Sequence, residues 1–148
     1  MSVIGNKTGD AALKVASAAD PAVAVSIPVR VRSNLLTVPA SIKSNGLSWD
    51  REGEDSIHAT GTVPAAGWTS VEYSMGLDAG TYYLGIDKPD KATFVIRTAG
   101  SNTSILSTSG TVEGHLDAGT YRIIVMLMNV EAGQQIDLTI RPMLGKIK

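Results

Sequence analysis

Apolar and polar residues alternate along most of this chain with the two-residue period of a strand that buries one face. Val23, Val25, Ile27, Val29 and Val31 fall on one side of such a strand, and Ala24, Ser26, Pro28 and Arg30 fall on the other. Proline has no N–H to give a ladder, so Pro28 places this segment at an edge. Further on, Val71, Tyr73 and Met75 share a face, as do Tyr82, Leu84 and Ile86, then Tyr121, Ile123, Val125 and Leu127. A last alternation begins at Ile136 and ends at Pro142. Turn chemistry separates these runs: Ser44-Asn45-Gly46, Asp50 to Asp55 around Gly53, Pro64 to Gly67, Asp87 to Lys91, and Glu131 to Gln135. The spacing predicts about eight or nine short strands and an all-β, antiparallel β-sandwich of jelly-roll type. Only Ala11 to Ala19 breaks the rhythm, an alanine-rich run that predicts a turn or two of helix before Asp20-Pro21.

One hexapeptide occurs twice. Leu77-Asp78-Ala79-Gly80-Thr81-Tyr82 returns as Leu116-Asp117-Ala118-Gly119-Thr120-Tyr121, and each copy runs into an alternating apolar segment. Asp can fold its side chain onto the next backbone groups and Gly tolerates unusual φ, so the unit reads as a turn feeding a core strand. With poor similarity around them, two copies predict equivalent corners of one β domain rather than a solenoid. The strand after the second corner has a further peculiarity, because Ile124, Met126 and Met128 make its opposite face apolar too. Such a strand is either central in a two-layer core or covered by something else.

Two segments follow from this pattern: an N-terminal arm over residues 1 to 33, and a sandwich over residues 34 to 148. The Val23 to Val31 strand is expected either to form the first edge of the sandwich or to dock as an arm on a neighbouring subunit. Composition narrows the partners. With 13 Lys and Arg against 14 Asp and Glu, the net charge of -1 offers no basic field for nucleic acid. No apolar run approaches bilayer length, and the N-terminus lacks signal-peptide layout, so synthesis and retention in a cytoplasm are expected. The absence of cysteine excludes thiolate metal sites, disulfides and a cysteine nucleophile.

The order of motifs carries a resemblance. Asn34-Leu35-Leu36, Asn45-Gly46-Leu47-Ser48-Trp49, Asp55 to Thr62, the first Leu-Asp-Ala-Gly-Thr-Tyr corner, and Ile136 to Leu144 with its closing Pro-Met together resemble a domain of bacteriophage and prophage structural proteins. That group is similar in outline to the jelly-roll carbohydrate-binding modules, and the resemblance spans residues 34 to 144. It implies a non-enzymatic virion component, on the head surface or in tail and baseplate, made in the bacterial cytoplasm. It also implies other virion proteins and copies of the chain itself as partners, and no cofactor. The alternative is a carbohydrate-binding module that recognises host surface polysaccharide.

The residues themselves offer little reactive chemistry. His58 and His115 have no second histidine at metal-ligand spacing, and no nucleophile elbow or phosphate-binding glycine loop occurs. The chain is therefore expected not to be an enzyme. Asp50, Glu52, Glu54 and Asp55 form an acidic run that would suit calcium but reads first as a solvated hairpin tip. Pyranose rings stack on Trp and Tyr. Strand parity turns Tyr73, Tyr82 and Tyr121 inward and places Trp49 with Leu47, which leaves Trp68 and Tyr83 as the candidate glycan contacts.

Overall fold

Two units make up the chain, Met1–Ser33 and Asn34–Lys148. A computed structural model describes residues 9 to 16, 24 to 31 and 34 to 147. In the first unit, β1 (Gly9–Ala16) pairs antiparallel with β2 (Ala24–Val31). The alanine-rich run is thus a strand through Ala16 and not a helical turn; its remainder, Ser17 to Ala19, lies outside the described residues, as does Val23. Register explains the outcome. Gly9, Ala11, Leu13 and Val15 stand opposite Val31, Val29, Ile27 and Val25, so one face of the hairpin carries only apolar positions. Cross-strand partners of this kind override the modest helix preference of alanine. The opposite face alternates charge and small residues, with Asp10 across from Arg30 and Ala12 across from Pro28. Neither expectation for β2, an edge of the sandwich or a docked arm, includes a ladder partner in the run just before it.

The second unit is an all-β, sandwich-like assembly of three antiparallel sheets. Its strands are β3 (Ser41–Ser44), β4 (Leu47–Glu52), β5 (Ser56–Thr62), β6 (Gly67–Leu77), β7 (Gly80–Ile86), β8 (Ala92–Thr98), β9 (Ser104–Ser107), β10 (Glu113–Leu116), β11 (Gly119–Val130), β12 (Gln135–Ile140) and β13 (Pro142–Ile147). They order as β12-β5-β4-β3, β6-β11-β8-β9 and β10-β7-β13. The count exceeds the sequence expectation for two reasons. The strand β3 has only four residues, too few to show a period. The run from Ile136 to Leu144 is also two strands, because Pro142 ends one ladder and the chain changes sheet there.

All three sheets turn apolar side chains into one core. Trp49, Ile57, Ala59 and Ile140 come from the first, Phe94, Ile96, Ile123 and Val125 from the second, and Tyr82, Leu84 and Leu144 from the third. The strand β11 lies between β6 and β8 in its sheet. One face enters the core; on the other, Ile124 and Val95 sit side by side and buried.

The repeated hexapeptide builds the point where the chain crosses between sheets. Leu77 leads from β6 into β7, and Leu116 leads from β10 into β11. Leu77 pairs with Gly119, and Leu116 pairs with Gly80, so the strand before each corner is hydrogen-bonded to the strand after the other. In both copies the tyrosine ring is buried and its hydroxyl donates back to the aspartate carbonyl at the corner: Tyr82 to Asp78 and Tyr121 to Asp117, each at 2.8 Å. A β-carbon on Gly80 would stand 2.3 Å from Lys146 Cε, and the bare glycine lets that side chain pass with Nζ 5.4 Å from the Tyr82 ring centre. At the other end of the chain, Asn34 ties the first residues of this unit to its last strand. Its Oδ1 accepts the N–H groups of Leu36 and Leu144, and its Nδ2 donates to the Pro142 carbonyl.

Candidate functional site

Trp68 is the one large aromatic ring standing clear of the surface among the described residues, with 62% of its area exposed. Strand parity puts it there. Along β6, Thr69 and Val71 turn into the core, so Trp68 falls on the outer face, directly across from Met128 of β11. One residue further on, Asn129 adopts φ 57° and the ladder slips between Met128 and Val130, a β-bulge. The Met128 N–H is held by the Lys91 carbonyl at 2.9 Å, which sets the turn before β8 beside the bulge. Between these elements and β12 runs a groove of about 440 Å³. Its floor includes Leu127 and Ile136, and its rim carries Asp90, Lys91, Asn129 and Asp137. Adjacent strands lie roughly 5 Å apart, so the row from Trp68 through Met128 to Lys91 spans roughly 10 Å, the length of a disaccharide.

Tyr83 stands on a different sheet from Trp68. It projects from β7 onto the outer face of the three-stranded sheet, where its hydroxyl lies 3.6 Å from Met143 Sδ and its ring lies across Gly145. A β-carbon at 145 would meet that ring at 2.0 Å, so the glycine is what lets the tyrosine lie flat. Trp68 and Tyr83 thus belong to different sheets, and the residue beside Trp68 is Met128, a pairing that strand parity alone hides because Met128 lies far away in sequence.

The acidic run is dispersed. Asp50 and Glu52 point from β4 across the outer face of their sheet, and Glu54 and Asp55 lie in the turn after it. Asp50 accepts the hydroxyls of Ser41 and Ser48, which hold its carboxyl below the ordinary range. Glu52 accepts the Thr139 hydroxyl at 2.8 Å. Among the described residues, no three carboxylate, histidine or cysteine side chains converge as a metal site would require. On the same face His58 Nε2 meets Asp137 Oδ1 at 2.7 Å, and on the neighbouring sheet His115 Nε2 stands 3.7 Å from Asp117 Oδ1. Both pairs are open to solvent, and neither has a serine or threonine nucleophile bonded to the ring among the described residues. A shallower depression of about 490 Å³ lies beside the turn at Asn45 and Gly46, lined by Lys43, Ser48 and Thr60.

Of the candidate docking positions, only the Val25 side chain falls within description, and it is exposed. Ile27, Val29 and Val31 follow it along β2 at the two-residue period, all opposite apolar positions of β1. No family model, curated protein or solved structure matches this chain.

Proposed function

We propose that this chain is a non-enzymatic structural subunit of a bacteriophage particle, an accessory protein of the head surface or tail, assembled with copies of itself and with other virion proteins. The observation that carries the reading is the N-terminal hairpin, a unit of its own whose register gathers the large apolar residues of both strands on one face. A two-stranded hairpin alone in water is marginal, so that face calls for a cover. In a particle the cover is another subunit, and repetition lets individually weak contacts hold through effective concentration. The resemblance of residues 34 to 144 to phage structural domains, together with the all-β architecture, supports a jelly-roll-like sandwich as the body that the hairpin anchors. The test is mass spectrometry of particles purified on a density gradient from the producing host. Recovery of this chain at stoichiometric abundance supports the reading, and its absence from intact particles refutes it.

A second reading rests on a separate observation, the exposed Trp68 beside Met128 and the polar-rimmed groove at Asn129. An apolar ring next to convergent carboxylate, amide and ammonium groups is the chemistry that holds a sugar. Under this reading the sandwich recognises host surface polysaccharide. Trp68→Ala would then abolish retention on the host polysaccharide, while an unchanged affinity would remove the reading's main support.

A further inference from the structure

A β-sheet that ends in an unpaired strand offers its backbone to any other strand, and proteins guard such edges with short strands, charges, prolines or covering segments. In the second unit, edge after edge carries such a device. The strands β3, β9 and β10 are four residues long. The edge of β12 is closed at its end by the Asp87-Lys88 turn, with Lys88 Nζ on the Thr139 carbonyl at 2.7 Å and Asp87 Oδ1 on the Arg141 N–H at 2.8 Å. That of β13 is covered by Asn34 and Leu35, whose N–H meets the Leu144 carbonyl at 2.8 Å.

The strand β6 differs. It is eleven residues long, ends its sheet, and contains no proline and no lysine or arginine. Its single charge, Glu72, is drawn back over β11 by a two-pronged pair with Arg122, whose Nη2 lies 2.7 Å from Oε2. Asn45 Nδ2 reaches the Ser70 carbonyl at 3.5 Å, which marks Ser70 and its alternates Glu72, Ser74 and Gly76 as the residues whose backbone groups face away from β11. Beyond Ser70, no other hydrogen bond reaches the outward backbone of β6 among the described residues, although β3 runs close to this edge.

We propose that the β6 edge is an interface with a second copy of this chain, formed by antiparallel pairing of β6 with its own equivalent. A two-fold axis at Ser74 fits the residues. It sets Ser74 opposite itself and Glu72 opposite Gly76 of the other copy, so no like charges face each other and the small Gly76 leaves room for the Glu72–Arg122 pair. It joins two four-stranded sheets into one continuous sheet, and the charge balance already made within each copy leaves nothing to repel the other. An axis at Glu72 would set two carboxylates face to face. The pairing is independent of the N-terminal hairpin and of the virion reading.

The test uses the full chain. Hydrogen exchange followed by mass spectrometry at high and low protein concentration reads the edge directly: the amides of Glu72, Ser74 and Gly76 become protected as concentration rises. Ser74→Pro removes an N–H that faces away from β11 and so loses one or two backbone bonds, and Ser74→Lys sets two like charges face to face on the axis; each raises the dissociation constant of this pairing at least about tenfold. Sedimentation velocity reads that change. Edge amides that exchange at one rate at every concentration overturn the proposal, as does association that survives both substitutions.

Discussion

Phenylalanine at 82 or 121 keeps the buried ring and removes only the hydroxyl, so each substitution isolates one corner bond. Both bonds are 2.8 Å long and run from a core tyrosine to the carbonyl of the aspartate that begins the turn. A hydrogen bond in this setting contributes about 0.5–1.5 kcal/mol net, and the carbonyl left behind is only part-buried, so we expect each variant to lose about 1 kcal/mol. Tyr73→Phe supplies a control of opposite sign. The Tyr73 hydroxyl is buried without a hydrogen-bond partner among the described residues, and burial pushes its pKa up. Removing an unsatisfied hydroxyl leaves stability level or raises it by up to about 1 kcal/mol. Urea unfolding followed by the fluorescence of buried Trp49 reads all three. With a slope of roughly 1–3 kcal/mol per molar urea, the corner variants shift the midpoint down by roughly 0.3–1 M and Tyr73→Phe does not. Equal midpoints across the three variants would refute the reasoning, because the hydroxyls would then contribute nothing that depends on their partners.

Acid should act on the Glu72–Arg122 pair. The hydrogen bond from Arg122 lowers the Glu72 pKa below its ordinary 4.5, so its contribution is complete above that value and fades as pH falls through the folded-state pKa. Glu72→Gln therefore flattens the stability profile below about pH 4.5, and a profile identical to that of the native chain would count against the pair. Gly46 sits at φ 79° in the turn between β3 and β4, and a β-carbon there would stand 2.6 Å from the Thr62 carbonyl oxygen. Gly46→Ala should cost about 1–3 kcal/mol in urea unfolding. Trp49→Ala should cost about 3–5 kcal/mol, whereas Trp68→Ala should stay within about 0.5 kcal/mol, since one ring fills the core and the other meets solvent. Calorimetry would separate the two.

Much of the sandwich was legible because one face of each long strand is buried and the period shows it. Trp49 with Leu47, Tyr82 with Leu84, and Tyr121 through Leu127 all face the core as parity requires. The equivalence of the two corners could be read from the hexapeptide, but the bond from tyrosine hydroxyl to aspartate carbonyl could not, because turn residues alone explain the Asp-Ala-Gly. A four-residue strand carries almost no period, which hid β3. The alanine-rich run misled for a different reason: local propensity favours helix, and only the long-range register with β2 makes it a strand. Site residues suffered the same loss. Trp68 could be picked out by parity, yet its neighbours Met128, Asn129 and Lys91 come from segments that only the sheet order brings together. Asn34 looked like an ordinary start to a β domain, and its three hydrogen bonds to Leu36, Pro142 and Leu144 depend on partners at both ends of the unit.

Assembly through the N-terminal hairpin, as proposed, makes the solution mass depend on residues 1 to 33. Light scattering across a range of concentrations would give the solution mass of the full chain and of residues 34 to 148, which contain the core cluster as it stands among the described residues. The shorter chain should stay folded and form a smaller assembly than the full chain at the same concentration, no larger than the β6-paired dimer. Identical masses for the two at every concentration would contradict assembly through the hairpin.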